Sequence, residues 1–431
     1  MPLTVPTTIF SSEERFVNVV REATPGTIPA SSGTTFPIVN FEPEDKLLKL
    51  PDEGLRGAMG KTYGIQFGPR YAEASIGGPV FADMIGHELY NMLGDYTQSA
   101  TAATPNTTLT SSPAVGATTL NVTSGTSFTV NMWIQVDTGL LSEIVQVLSS
   151  TTNTITLQTT TPIRIPGHSA SATVTNTTIA SAGYNNIFSL LNSTNNPATA
   201  PPGFGQPITH TYTDRTLVPA TGLARQYAYS CFSELTFTGN AEKLTEWNGA
   251  FSAFAGQIAA SAPSPSISTA TVWPDFNTLF GLNGVVSGAP IYDISEWSIS
   301  MSRKVEPYFT NSGSFNPYVI ARGPLVVTGK LTFAPAVDET ALLYLLNNTQ
   351  PQIQIQAFNG LTGANKAGLQ FDIVLGAFDT SKINASRSLF GYDVTFEAVS
   401  TNLTANSVTT IGWSAGYSPI KVTLVNTTPI Y

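Results

Sequence analysis

The chain holds 431 residues, 42% of them apolar and only 11% charged, and that length exceeds one ordinary compact core, which predicts two or three domains. Its 28 acidic and 19 basic residues leave a net charge of −9, which argues against a basic face built to grip nucleic-acid phosphates. The single cysteine, Cys231, excludes a disulfide within the chain and any cysteine-based zinc site.

Taken from the start, Met1 to Glu14 has no basic stretch followed by an apolar run, so no signal peptide is expected. The longest apolar run, Ala341 to Leu346, falls far short of the roughly 20 residues that cross a bilayer, so no membrane anchor is expected. Residues Gly54 to Thr62 end in Gly-Lys-Thr like a phosphate-binding loop, but their glycine spacing is one residue too long. Neither a buried strand before them nor a helix after them is legible, which leaves a Gly-rich extended connection.

The next stretch, Ser75 to Ala82, runs into a helical pattern from Asp83, a potential N-cap, to Leu93, with Gly94 suited to close it. Pro79 cannot donate to a ladder, which places this strand at an edge or a bulge. Within the helix, His87-Glu88 opens like a zinc-protease motif, but Asn91 stands where the second histidine would be, so no metal is expected there. His168 and His210 read as surface or packing residues.

Residues 98–181 change character. Thr-rich flanks enclose short alternating segments at Thr119–Val122, Trp133–Val136, Glu143–Val147 and Thr154–Leu157, the pattern of a small all-β insertion of barrel or sandwich type. Polar linkers are expected around 193–207 and 258–270.

A second copy of the first pattern follows. Leu325 to Phe333 alternates as a half-buried strand and leads into a helix from Asp338 to Leu346, closed by Asn347. One interval separates Gly77, Phe81 and Ala82 from Gly329, Phe333 and Ala334, and each helix is followed by a further strand, Glu234–Phe237 and Asp393–Phe396. The expected fold is mainly β, with two tandem β-sandwich or barrel domains, each with one short helix. The first domain would be discontinuous (1–97 and 182–260) around the 98–181 insertion, with a linker at 261–284 and the second domain at 285–431.

No catalytic constellation is legible. Adjacent acids such as Asp52-Glu53 and Asp338-Glu339 point apart instead of facing across a cleft, and Gly-x-Ser-x-Gly is absent. The chain is therefore not expected to be an enzyme, and no cofactor is expected.

Residues Ser300 to Tyr308 and Ala321 to Phe333, together with Leu55 to Met59 and Gly77 to Asp83, resemble the tail tube, or major tail, proteins of long-tailed bacteriophages. The resemblance implies a virion structural protein, assembled in the host cytoplasm, whose rings stack into a tube that conducts double-stranded DNA without reading its sequence. Tape measure and tail-terminal proteins are the partners it implies. Two such domains per chain make a ring of three chains with pseudo-sixfold symmetry the favoured assembly, a hexamer being the alternative. The Gly-, Asn- and Pro-rich connections Asp52 to Tyr71 and Glu306 to Gly323 then become arms between rings, with Arg56, Met59, Tyr63, Tyr308, Phe309, Phe315 and Tyr318 as contact residues. A carbohydrate-binding fibre or adhesin is the competing reading. It requires aromatic platforms in the insertion, where Trp133 alone stands out.

Overall fold

The computed structural model describes residues 15–30, 33–54, 56–57, 60–99, 102–130, 132–137, 141, 143–159, 161–177, 184–191, 208–216, 224–259, 268, 270–283, 291, 293–334, 340–358, 367–384, 391–401, 404–405, 408–409 and 418–426. Two strands, β1 (Arg15–Arg21) and β2 (Thr34–Phe36), precede a long hairpin of β3 (Asn40–Asp52) and β4 (Gly64–Pro79). Helix α1 (Gly86–Leu93) follows and runs directly into β5 (Gly94–Ser99). Gly94 takes a left-handed φ of 87° and closes α1 through its N–H on the Tyr90 carbonyl, as its sequence position suggests. Asp83 is not the cap. The helix begins three residues later, and the Asp83 carboxylate instead accepts from the Ser268 hydroxyl at 2.7 and 2.8 Å.

The insertion contributes β6 (Ala102–Thr108), β7 (Thr119–Asn121), β8 (Trp133–Val136), β9 (Glu143–Ser150), β10 (Thr154–Leu157) and β11 (Thr173–Thr177). They form a sheet in the order β6-β11-β8-β9-β10-β7, and a bridge between Leu109 and Val122 joins its two end strands into a small barrel. The inward residues of the alternating segments, among them Leu120, Ile134, Val145, Ile155 and Val174, fill it as an apolar cluster of its own. Its irregular segment is tied down by His168, whose buried ring lies 2.6 Å from Glu143 and 3.1 Å from Asp137. Burial alone would lower the pKa of this imidazole, but the two carboxylates outweigh it and leave the pKa raised.

The chain then returns through β12 (Tyr184–Leu190), β13 (His210–Thr216), β14 (Arg225–Asn240), β15 (Glu246–Ala253), β16 (Gln257–Ile258) and β17 (Leu279–Leu282). The second unit is β18 (Ile294–Tyr308), β19 (Val319–Phe333), α2 (Thr340–Leu346), β20 (Ile353–Phe358), β21 (Gly368–Ile373), β22 (Gly376–Asn384) and β23 (Gly391–Ala398). A short pair, β24 (Thr404–Ala405) and β25 (Val408–Thr409), precedes the last strand, β26 (Lys421–Asn426). Asp338 lies outside the described residues. After α2 it is Asn348, with φ 50°, that turns left-handed, one residue beyond Asn347.

The copied unit is visible in strand order. One antiparallel run reads β3-β4-β15-β14 in the first unit and continues β18-β19-β23-β22 in the second. Each half is a long hairpin, a helix, then a second hairpin that docks on the first. The two halves meet where β14 pairs with β18, from Glu234↔Ser302 to Asn240↔Glu296. This seam merges the two units into one sheet, and β26 adds a second tie by pairing with β12 of the first unit and β21 of the second. A single apolar cluster runs through both units, including Phe237, Trp247, Trp297, Phe371 and Phe396, so the tandem units share one core.

Register corrects the repeat alignment. Gly77 stands opposite Asn248, with its neighbours Ile76 and Gly78 on the packed face, whereas Gly329 stands opposite the buried Phe396. A one-residue slip reverses every side chain in a strand, so the counterpart of Gly329 is Gly78, opposite Trp247. Likewise Phe396 corresponds to Trp247, and Phe237 to Phe378, because each pair holds the same place across the second hairpin. Pro79 does not mark an edge strand: β4 lies between β3 and β15, and Pro79 is its last residue.

Candidate functional site: the open face, the seam and the hairpins

One face of the long sheet packs inward and the other stays open. The packed face carries Phe41, Ile76, Phe251, Phe237, Ile299, Val327 and Phe396, and meets the second sheet, β17-β20-β21-β26-β12-β5. Ring contacts of Phe371 with Phe237 at 5.1 Å and with Trp297 at 5.8 Å hold the layers together across the seam. The alternate residues form the open face: Glu42, Glu73, Ser75, Glu246, Asn248, Glu234, Thr236, Ser298, Ser300, Ser302, Thr328, Thr395 and Glu397. It is a hydroxyl-rich surface with more acids than bases. Lys330 is its central base, and it is held by Asp393 at 2.9 Å.

The seam is polar on the open side and locked on the packed side. Thr236 donates to Ser300 at 2.9 Å and Asn240 to Glu296 at 2.9 Å. Behind them, two buried arginines of the second unit reach into the first. Arg303 donates to the carbonyls of Gly323 and Met92, and Arg322 to those of Asn91 and Ile208 and to the Cys231 sulfur at 2.9 Å. The last-turn carbonyls of α1 are the negative end of its dipole, which is where cations stabilise a helix. Burial pushes the Cys231 thiol pKa up, against the pull of Arg322, so the lone cysteine is a packed seam residue.

His87-Glu88 belongs to the core beneath the seam. Tyr212 donates to Glu88 at 2.7 Å, Asn91 bridges the His210 ring at 3.0 Å and the Ser230 carbonyl at 2.8 Å, and the two imidazoles lie 5.5 Å apart. Burial drives the Glu88 pKa well up, the His210 pKa well down and the His87 pKa down to about 4, so all three are held neutral. Neutral, buried and hydrogen-bonded groups of this kind specify packing. The described residues between Gly54 and Thr62 lie between β3 and β4, with the Lys61 side chain 82% exposed, and β4, a strand and not a helix, follows them.

The contact residues expected from sequence gather on two hairpin tips at one end of the sheet, except Met59, which lies outside the described residues. Arg56 pairs with Asp52 and covers the Tyr63 ring at 5.0 Å. Tyr308, Phe315 and Tyr318 are exposed on the β18-β19 tip. That tip leans on the other hairpin of the same chain: Arg70 N–H donates to the Phe315 carbonyl at 2.8 Å, and the Phe309 and Tyr71 rings lie 6.3 Å apart. The open face and the arginine lock are what sequence reasoning missed. The Ser298-Ser300-Ser302 alternation is a legible signal for the first, and a distant helix end is no signal at all for the second.

The end strands of the eight-strand run are β3 and β22, each paired on one side among the described residues; the same 12-stranded sheet also branches at β14, through β13 and β1 to β2 and through β16. The Trp133 side chain, singled out as a sugar platform, lies outside the described ones. Compared with protein-family models and with curated proteins, the chain matches none.

Proposed function

We propose that this chain is a self-assembling structural protein whose copies close laterally into rings of three and stack into a tube, the tail tube of a long-tailed phage, through which double-stranded DNA passes. The observation that carries the reading is the relation between the seam and the edges. Within the chain, β14 ends the first unit and β18 begins the second, and they pair. Their counterparts by strand order, β22 and β3, are the two end strands of the same eight-strand run, from which β13, β1 and β2 branch at β14. An edge strand is a template for another chain, and here the edges repeat the partners of a junction the fold already makes. Pairing β22 of one chain with β3 of the next continues the tandem order indefinitely, and rotation at each junction closes it.

The open face suits a conduit. Hydroxyls and carboxylates line it, and like charge keeps phosphates from adhering as they slide. Assembly in the host cytoplasm, residence in the virion, and contacts with a tape measure and tail-terminal proteins belong to the same proposal. Negative-stain imaging and native mass measurement of the purified protein test it: rings of three chains, alone or stacked, are expected. Monomers at high concentration would overturn the reading, and rings of six chains would overturn its stoichiometry.

A further inference from the structure

The two helices hold the same place in their units but are not equally covered. Each ends on a left-handed residue, Gly94 after α1 and Asn348 after α2. Aligned on those ends, Tyr90 falls on Tyr344, Leu89 on Leu343 and Met92 on Leu346. All eight residues of α1 are buried, with Leu89 and Met92 at 0% exposure. In α2 the Tyr344 ring stacks on Phe378 of its own unit at 6.2 Å, but Leu343 is 55% exposed and Leu346 71%. Residues three apart share one helix face, so α2 shows an apolar face where α1 shows none.

What covers the end of α1 is the hairpin that opens the next unit. Arg303 of β18 and Arg322 of β19 reach the carbonyls of Met92 and Asn91. No further unit follows α2 within the chain, and the hairpin that comes next in the tandem order is β3-β4 of another copy. With Gly78 matched to Gly329, Pro43 opposite Ala74 holds the place of Arg303 opposite Leu325. Past the register shift that follows Arg303, Ala72 opposite Asp45 holds the place of Arg322 opposite Val305. Both arginines are thus replaced by apolar residues. Leu47, on the same face of β3 as Pro43, is 39% exposed, and Asp45 between them accepts from Gly256 N–H of its own chain at 2.7 Å.

We propose that the Leu343–Leu346 face of α2 is a docking surface for a second copy of the chain, covered by the base of that copy's β3-β4 hairpin at Pro43 and Leu47. The inference rests on the ring reading and assigns the contact that flanks its strand junction. Helix and hairpin change together: the covered helix end carries Asn91 and Met92 and meets two arginines, whereas the bare one carries Leu345 and Leu346 and meets proline, alanine and leucine. This difference also sets the order of units. A β18-β19 hairpin from another copy would bury Arg303 and Arg322 against leucines, at the cost of desolvating two cations, while β3-β4 brings no charge to lose. First units therefore follow second units at every junction between chains.

The test uses full-length protein. Leu343→Asp combined with Leu346→Asp changes exposed positions only, and circular dichroism checks the fold. The expected result by native mass measurement is folded single chains at concentrations where the wild type gives rings. In parallel, Leu346→Cys and Leu47→Cys are made as separate variants; Cys231 is buried and does not compete. A short bismaleimide is expected to link the two variants in a mixture into a pair absent from either variant alone. Rings of normal mass from the aspartate variant, with no crosslink in the mixture, would overturn the α2 contact and leave the ring reading standing. Wild-type protein that stays monomeric would overturn both.

Discussion

Arg303, on the first strand of the second unit, donates through Nη1 to the main-chain oxygen of Met92, in the last turn of the first unit's helix, at 3.0 Å. The same guanidinium spans the Gly323 carbonyl through Nε and Nη2 at 3.0 and 2.7 Å. One planar group therefore fastens a helix end, a strand bulge and the seam between the two units.

Replacing Arg303 with Ala is expected to destabilise the protein by about 3 kcal/mol, since two buried carbonyls lose their donor. Arg303→Lys should recover less than half of that, because a single ammonium cannot bridge both acceptors. Urea unfolding midpoints of the three proteins check this.

Acid should weaken the fold through His87 and His210. The unfolded chain binds their protons near pH 6.5, whereas the folded chain holds His87 neutral down to about pH 4 and His210 well below its usual range. Stability is therefore full above pH 6.5 and falls as pH drops toward 4, by about 3 kcal/mol for His87 alone. A His87→Gln variant should lose much of that slope in a pH series of melting temperatures.

Glu88 acts in the opposite sense. Its folded pKa is raised by burial, so its contribution is favourable below the usual carboxylate range and is lost as pH rises above it. Glu88→Gln keeps an acceptor for the Tyr212 hydroxyl, and should raise the melting temperature at pH 7 while leaving it unchanged at pH 4.

Gly329 has no room for a side chain: a Cβ there would sit 2.2 Å from Phe396 Cζ. Gly329→Ala should cost about 2 kcal/mol by overpacking. Adding Phe396→Leu should make the second change cheaper in the Ala background than in the wild type, which a double-mutant cycle in urea measures.

Charge reversal on the open face tests the proposal that it is a non-adhesive lining. Glu234 and Glu397 are both exposed there. Lysine at both positions should leave the assembled mass unchanged but make assemblies retain double-stranded DNA in dilute salt, with retention falling steeply as salt rises. A gel-shift series over ionic strength reads both effects.

Much of the architecture was legible because it is periodic. The alternation of Leu325, Val327, Leu331 and Phe333 predicts β19, and the Thr-rich alternating segments predict the strands of the inserted barrel. Gly94 marks a helix end because only its backbone tolerates the left-handed turn. What failed had local causes. Two adjacent glycines, Gly77 and Gly78, let the repeat slide by one residue, and only the partner strand shows which faces inward. The Arg303–Met92 contact joins residues far apart in the chain, and nothing near either announces the other. The open face was hidden by its own ordinariness, since serine, threonine and glutamate on alternate positions look like any solvated sheet.

The barrel between β5 and β12 interrupts only the first unit, while the corresponding stretch between β20 and β21 is short. An assembly built by repeating the long sheet would therefore wear an ornament at every second position. Its outer outline would have half the rotational order of its inner wall, and a particle viewed down its axis would show that mismatch before any side chain could be seen.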